Sequence, residues 1–189
     1  MVKGKGVPFL RYGERQAKVE VRTGLAPIAR SDARLLILGS LPGERSLAER
    51  RYYAHPTNQF WRLLGSAIGE ELAALPYEER LERLHQRRIG LWDVIGSARR
   101  SGSLDQAIRD AVHNPIADLP VRFPELQAIA FNGGKASKDG RRLVGTGLGA
   151  IELIDLPSSS AANTTRFVDK ACAWAVLGRY CGSPAPPPR

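Results

Sequence analysis

The sequence predicts an α/β fold, a three-layer sandwich in which a central, mostly parallel sheet of four strands is flanked by helices. Four short apolar runs have the length and composition of buried strands, and segments with the apolar spacing of helices lie between them. Strands that alternate with helices form a parallel sheet with helices on both faces. The chain has 189 residues, 43% of them hydrophobic, which is enough to bury the core of one domain.

The predicted strands are residues 35–39, 89–94, 128–132 and 151–156. A first helix follows Asn58, because Phe60, Trp61 and Leu64 share one helical face. Residues 77–88 alternate charges as a solvated helix does. Two more helices are predicted, one over residues 103–112 capped by Ser103, and one over 164–177 capped by Asn163 or Thr164.

Charge and composition divide the chain into three parts: a basic N-terminal arm over residues 1–30, one domain over 31–182 and a proline-rich tail over 183–189. The net charge is +9, and residues 1–51 hold 11 Lys and Arg against 5 Asp and Glu. This bias favours a polyanionic partner such as nucleic acid, because basic groups bind phosphates by releasing counterions. A basic surface without such a partner remains the alternative.

Neither a membrane protein nor a metalloprotein is expected. The sequence has no run of 18 apolar residues, and its first residues lack the apolar core of a secretion signal, so we expect a cytoplasmic protein. Cys172 and Cys181 are expected to be separate thiols, because neither a CxxC pair nor a histidine cluster completes a metal site.

The segment GSLPGERS, residues 39–46, directly follows the first predicted strand. Ligands of such folds bind at the carboxyl ends of the strands, and glycine lets the backbone approach a ligand closely. The pattern is not a phosphate-binding P-loop, because GxxxxGK[ST] is absent. A purely structural Gly-Pro turn is the alternative interpretation.

The segment YYAHPTNQFW, residues 52–61, joins four aromatic residues to a histidine and two amides. Aromatic rings can stack on a nucleobase, and an asparagine can orient a water molecule or bind a base edge. Alternatively, Tyr52, Phe60 and Trp61 belong to the core and Asn58 caps the helix. We favour the core position for Phe60 and Trp61.

The segment LPSSSAANT, residues 156–164, follows the last predicted strand. Its hydroxyl groups suit contacts with DNA phosphates. Helix capping by Ser160, Asn163 or Thr164 is the alternative. The segment is not part of a serine-hydrolase triad, because the chain has no GxSxG motif.

Together the three segments resemble the motifs of the uracil-DNA glycosylase superfamily. Within it the chain looks most like the mismatch-specific uracil and hypoxanthine-DNA glycosylases, which carry a G-x-x-P-G-x-x-S loop and an aromatic-A-H-P-x-N-x-F-W segment. The resemblance covers about residues 33–178. It implies an enzyme that flips a deaminated base, uracil or hypoxanthine, out of DNA and hydrolyses its N-glycosidic bond.

The resemblance also implies roles for single residues. Tyr53 would stack on the flipped base, and Ser46 matches the serine that closes the first loop. The residues expected to be catalytic are Asn58, His55 and Ser46, with Asn58 positioning the attacking water. The residues expected to bind the base are Gly39, Ser40, Leu41, Pro42, Gly43, Tyr53, Asp93 and Asn132. The residues expected to contact DNA are Lys135, Pro157, Ser158, Ser159 and Ser160.

Three positions depart from the pattern of the superfamily. Leu41 occupies the place where most members have a water-positioning Asn or Asp, and leucine can neither accept a proton nor hold a water. Leu156 replaces the His or Asn of the last loop, so His55 or backbone N–H groups would stabilise the leaving base. Ser160 occupies the place of a wedge leucine. Asp93 either accepts a hydrogen bond from the base edge or acts as a structural cap.

No cofactor is expected. No lysine is placed by a motif to form a Schiff base, which predicts a monofunctional glycosylase, and two cysteines are too few for the iron–sulfur cluster of some branches. The expected protein is a monomer that acts on DNA with a deaminated base in the cytoplasm, at the nucleoid. An inactive relative that only binds damaged DNA is the main alternative. A nucleotide hydrolase is less favoured, because the chain lacks an acidic Mg²⁺ cluster.

Overall fold

A computed structural model describes residues 21–145 and 148–181. The strands are β1 (Val21–Thr23), β2 (Leu35–Gly39), β3 (Ile89–Asp93), β4 (Ile95–Arg99), β5 (Arg109–His113), β6 (Ala128–Asn132) and β7 (Glu152–Leu156). The α-helices are α1 (Glu44–Glu49), α2 (Phe60–Ile68), α3 (Tyr77–Gln86), α4 (Leu119–Arg122), α5 (Gly134–Val144) and α6 (Phe167–Trp174). Short 3₁₀ helices cover Leu72–Ala74, Asp105–Ala107, Ile116–Asp118 and Ala175–Arg179.

The central sheet has four strands in the order β3-β2-β6-β7, and every pair in it is parallel. β2, β3 and β6 are buried along their whole length, as the strands of a sheet covered on both faces must be. This sheet confirms the predicted α/β class. Because parallel strands end at the same edge, the segments that follow β2, β3, β6 and β7 meet there.

Successive residues of each strand point to opposite faces of the sheet, which gives the protein two main cores. Leu35 and Ile37 pack on one face with side chains of α2, α3 and α6. Leu36 and Leu38 pack on the other face with side chains of α4 and α5. Helix α5 lies so close to β6 that a Cβ on Gly140 would be 2.2 Å from the Phe131 ring. The layers are therefore helix, sheet and helix, as predicted.

A second, antiparallel sheet of order β1-β4-β5 lies beside the first one. The predicted helix over residues 103–112 is wrong, because this segment forms the 3₁₀ helix Asp105–Ala107 and then β5. The physical reason is pairing at long range: β5 satisfies its backbone groups on β4, and Ile108 and Ala111 pack on a small cluster around Leu41 and Ile95.

The chain before β2 also contributes to the fold. Residues 21–30 are part of the predicted arm, yet β1 pairs with β4 and Ile28 pairs with Leu91 of β3. The first 20 residues and the tail over 183–189 lie outside the described residues. Cys172 and Cys181 are both free thiols. Every helix in the described ranges is too short or too polar to cross a membrane.

Candidate active site

A cavity of about 620 Å³ lies at the carboxyl edge of the central sheet. Gly39, Asp93 and Asn132, at the ends of β2, β3 and β6, form its floor. The segments 40–46, 52–58, 103–106 and 158–163 surround it. The cavity therefore brings together the three loops singled out in the sequence and a fourth segment, 103–106, that the sequence did not indicate.

The side chain of Leu41 faces a small apolar cluster rather than a water site. It is 5% exposed and packs with Ile95, Ala98 and Ile108 under the antiparallel sheet. Next to it, Ser40 donates a 2.6 Å hydrogen bond to Asp105 Oδ1. The loop is thus held by apolar contacts on one side and by a carboxylate on the other.

Arg100, which follows β4, binds the same loop through its backbone. Its side chain is 1% exposed and donates to the carbonyl oxygens of Leu41, at 3.1 Å, and Pro42. In a trans peptide the carbonyl and the next N–H point in opposite directions. Since the Pro42 carbonyl faces Arg100, the N–H of Gly43 points away from it, and Gly43 lines the cavity.

Ser46 lies in α1, on the buried side of the helix. Its hydroxyl oxygen accepts a 3.2 Å hydrogen bond from the N–H of Ala54. The serine predicted from the first motif therefore joins α1 to the second segment while it also lines the cavity. This bond positions the neighbouring Tyr53.

Tyr53 forms one wall of the cavity. Its ring stacks on Phe60 with centroids 3.6 Å apart and planes only 6° from parallel. Its backbone has φ of 53°, a left-handed conformation that is rare for a bulky residue and found mostly where function requires it. Phe60 and Trp61 are buried in the core, as predicted, so Phe60 supports the ring that faces the cavity.

Asp93 is a buried carboxyl at the floor of the cavity, 3% exposed. Its Oδ2 has no hydrogen-bond partner among the described residues, and neither does the Tyr53 hydroxyl. Burial raises the pKa of Asp93 to about 7, although the Tyr52 hydroxyl and the Arg100 charge lower it in part. A Cβ on Gly39 would lie 2.6 Å from Asp93 Oδ1, so only glycine leaves room here.

Asn58 and His55 stand at the side of the cavity beside Tyr53. Asn58 Oδ1 accepts a 2.9 Å hydrogen bond from the N–H of Phe60, so it caps the first N–H of α2 from the position before Gln59, the N-cap residue. One lone pair of the oxygen and the amide N–H₂ group are left for a ligand. His55 is exposed, and its Nδ1 lies 2.9 Å from the Thr57 hydroxyl.

The segment after β7 is tied to the sheet by Ser159 and Asn132. Asn132 Nδ2 donates to the Ser159 hydroxyl, and the Ser159 N–H donates to Asn132 Oδ1, both at 2.8 Å. Ser159 is fully buried, so its side chain positions the loop, whereas Ser158 and Ser160 are partly exposed. The Pro157 carbonyl accepts a hydrogen bond from the Trp174 indole.

Buried Lys170 of α6 connects the second and third motif segments. Its ammonium donates to Gln59 Oε1 at 3.0 Å and to the Asn163 carbonyl at 2.8 Å. The N–H of Gln59 also donates to the Ser159 carbonyl. Lys135, predicted to contact DNA, lies outside the cavity lining and forms a 2.7 Å ion pair with Asp139.

Arg100, Leu104 and Asp105 were not predicted as site residues, and Tyr52 and Ser103 were predicted only as a core residue and a helix cap. Residues 101–106 have the sequence SGSLDQ. Such a cluster of serine and glycine indicates a loop, although a helix was predicted from residue 103 onward. No sequence signal pointed to Arg100, because its buried position depends on the packing of the first loop. In the described ranges no group of three or more His, Cys, Asp or Glu is placed to hold a metal ion.

Comparison with known proteins gives a consistent result. The family model of the uracil DNA glycosylase superfamily matches residues 27–177. A hypoxanthine DNA glycosylase of Methanosarcina acetivorans is 39% identical over 160 residues, which are 85% of this chain and 99% of the relative. A hypoxanthine DNA glycosylase of Methanosarcina barkeri is 40% identical over 154 residues, which are 82% of this chain and 96% of the relative.

A solved structure is similar as well. It is a solution NMR structure of a Methanosarcina acetivorans protein described as a candidate uracil DNA glycosylase. The TM-score is 0.75 and the sequence identity 38%, over 85% of this chain and 98% of the other one.

Proposed function

The chain belongs to the uracil-DNA glycosylase superfamily, and from this premise we propose that it is a monofunctional DNA glycosylase that excises a deaminated base, hypoxanthine or uracil, in base excision repair. The observation that carries the proposal is one cavity lined by the aromatic residue Tyr53, which is stacked on Phe60, by the carboxyl group of Asp93 and by Asn58. This arrangement offers a stacking surface, an edge-binding group and a polar group that can hold water.

Base recognition rests on Tyr53 and Asp93. Hypoxanthine and uracil both present a ring N–H beside a carbonyl oxygen. An ionised Asp93 accepts a hydrogen bond from the N–H, and a protonated Asp93 donates one to the carbonyl. The two relatives are named for hypoxanthine, and the volume of about 620 Å³ is ample for a purine nucleoside. These points favour hypoxanthine as the better substrate.

Hydrolysis rests on Asn58 and on donors around the leaving base. The cap bond to Phe60 holds the Asn58 amide in one orientation, and the remaining polar groups can direct a water to the anomeric carbon of the flipped nucleotide. Negative charge that develops on the leaving base would be stabilised by the Gly43 N–H and by His55. Within the described ranges, Lys135, Lys138 and Lys170 lie outside the cavity lining.

The setting of the reaction follows from its substrate. Partly exposed Ser158 and Ser160 suit contacts with the phosphates beside the lesion. We expect the enzyme to act as a monomer on DNA in the cytoplasm, at the nucleoid.

The test uses labelled oligonucleotides with one inosine or one uracil, single-stranded and opposite each base, followed by alkaline cleavage of abasic sites. We expect cleavage of the inosine substrate above the buffer control. Absence of cleavage on every substrate would disprove the enzyme, and binding of damaged DNA without cleavage would support the inactive, damage-binding alternative.

Replacement of Asn58 by alanine should lower the single-turnover rate at least about tenfold, the low end for a positioned catalytic group. Because Asn58 also caps α2, Asn58→Ser is the matched control: serine keeps a cap acceptor but lacks the amide. We expect the serine variant to regain thermal stability but not activity. Equal recovery of both would mean that Asn58 acts only as a cap.

A further inference from the structure

Leu104 is a large apolar side chain at the mouth of the cavity, and 57% of it is exposed. The other strongly exposed large apolar residues in the described ranges are Val21, Val112, Val121 and Val168. None of these four valines lines the cavity. Exposure of one apolar residue is ordinary, but its position beside the base pocket is not.

The residues on both sides of Leu104 are fixed to the first motif loop. The Ser103 hydroxyl accepts a 3.0 Å hydrogen bond from the N–H of Glu44. On the other side, Asp105 accepts the 2.6 Å hydrogen bond from Ser40. The Leu104 carbonyl accepts from the N–H of Ala107 at 3.1 Å, which starts a 3₁₀ turn. The backbone is thus held from both ends, while more than half of the side chain is exposed at the cavity.

The lining segment after β7 offers no large apolar side chain. It consists of Ser158–Ser160, Ala161, Ala162 and Asn163. The Ser160 hydroxyl accepts from the N–H of Ala162, so it stabilises the loop rather than projecting from it. A flipped nucleotide leaves a gap in the base stack, and proteins that distort DNA fill such gaps with apolar side chains.

From these contacts we infer that Leu104 is the wedge: its side chain enters the duplex and occupies the space of the flipped base. The inference rests on the proposed function. The wedge would thus lie on the segment after β4. In the superfamily motif the wedge leucine lies after the last strand, at the position of Ser160. The hydrogen bonds through Ser40 and Glu44 then make the wedge and the base-binding loop one rigid unit.

The decisive measurement is the ratio of single-turnover rates on duplex and single-stranded substrate with the same lesion, because only the duplex has a stack to fill. Leu104→Ala should lower this ratio at least about tenfold. Leu104→Met, which keeps an apolar side chain of similar length, should restore the ratio to within about threefold of the wild type. The matched control is Val121→Ala, on α4 outside the cavity lining.

A second measurement reports on the gap itself. A pyrene nucleotide opposite the lesion fills the space of the lost base pair, so it should rescue Leu104→Ala on the duplex more than it helps the wild type. An unchanged rate ratio in Leu104→Ala, an equal fall in Val121→Ala or a lack of rescue by pyrene would each overturn the wedge.

Failure of the wedge is distinguishable from failure of the proposed function. If the wild type cleaves both the duplex and the single-stranded substrate, and Leu104→Ala has the same ratio of the two rates, only the wedge is refuted. A wild-type protein that cleaves neither substrate refutes the glycosylase and the wedge with it.

Discussion

At the residue scale, Leu41 has a packing role, whereas Asn58 lines the cavity. Leu41 stands where most of the superfamily has a water-positioning side chain, but here it packs with Ile95 and Ile108. Asn58 is both a helix cap and a cavity residue, because one lone pair suffices for the Phe60 N–H. A structural role and a catalytic role are therefore compatible in one amide.

Asp93 gives a prediction on stability against pH. Its pKa is about 7 in the folded protein, against about 3.9 for a carboxyl in an unfolded chain. The folded state therefore holds a proton that the unfolded state has released, so the stability contributed by Asp93 is full below pH 4 and lost as the pH rises through 7. Asp93→Asn does not titrate, so its stability relative to the wild type should rise between pH 5 and pH 8, by roughly 2–3 kcal/mol.

Urea unfolding of both proteins at several pH values measures this difference. Asp118→Asn, at an exposed position, is the control for removal of a negative charge. A difference between wild type and Asp93→Asn that stays constant from pH 5 to pH 8 would contradict a raised pKa. The same variant should also lose discrimination between inosine and adenosine in DNA, because an amide both donates and accepts hydrogen bonds and can therefore bind either base edge.

At the scale of elements, the cavity is assembled by polar ties between loops. Arg100 and Asp105, which follow β4, hold the loop after β2. Asn132, at the end of β6, and Lys170 of α6 hold the loop after β7. Each of these hydrogen bonds involves backbone groups or buried polar side chains. Without it, these groups would lack a hydrogen-bond partner in an apolar environment. The site therefore depends on elements that supply no reacting group.

Arg100→Met tests the tie to the first loop. It leaves the Leu41 and Pro42 carbonyls without their donor, which costs about 1–3 kcal/mol for each buried group. We expect a lower melting temperature and at least about a tenfold lower excision rate even at saturating substrate, since the Gly43 N–H loses its orientation. Arg100→Lys can still donate to one carbonyl, so it should recover part of the rate.

The comparison of kcat with KM separates positioning from binding in these variants. A rise in KM alone would contradict the positioning role, because it would indicate that Arg100 only attracts DNA through its charge. An unchanged kcat in Arg100→Met would contradict it as well.

At the scale of the whole molecule, the net charge of +9 is matched to a polyanionic substrate. A second cavity of about 390 Å³ adjoins the first and shares His55 and Asn58 with it. Arg51, Arg62 and Arg80 line this second cavity. Positive charge therefore extends from the base pocket along the side of α2 and α3.

Binding of DNA should consequently depend on salt. About four phosphate contacts would weaken binding roughly a hundredfold between 50 and 200 mM salt, because each contact releases counterions. Fluorescence anisotropy with labelled duplexes measures the dependence, and an undamaged duplex is the control that should show nearly the same slope. An affinity that does not change with salt would rule out phosphate contacts as the basis of binding.

Much of the fold and half of the site followed from local patterns. The apolar runs over residues 35–39 and 128–132 have the bounds of β2 and β6, because a strand covered on both faces must be apolar throughout. Their order in the chain predicted a parallel sheet, and a parallel sheet predicts a site where its strands end. The resemblance to the superfamily motifs then singled out Tyr53, Asn58 and Asp93 as candidates within that site.

The rest of the fold and of the site depends on contacts between distant parts of the chain. Residues 103–112 form a loop and a strand because β4 offers a pairing edge, and no local pattern can report a partner that is not itself predicted. Arg100, Leu104 and Asp105 owe their positions to that pairing. By itself the sequence determined the family, the sheet and the loops that carry the motifs, since these depend on local polarity and spacing. The tertiary structure determines which side chains are buried, hydrogen-bonded or exposed, because those properties depend on contacts between distant segments.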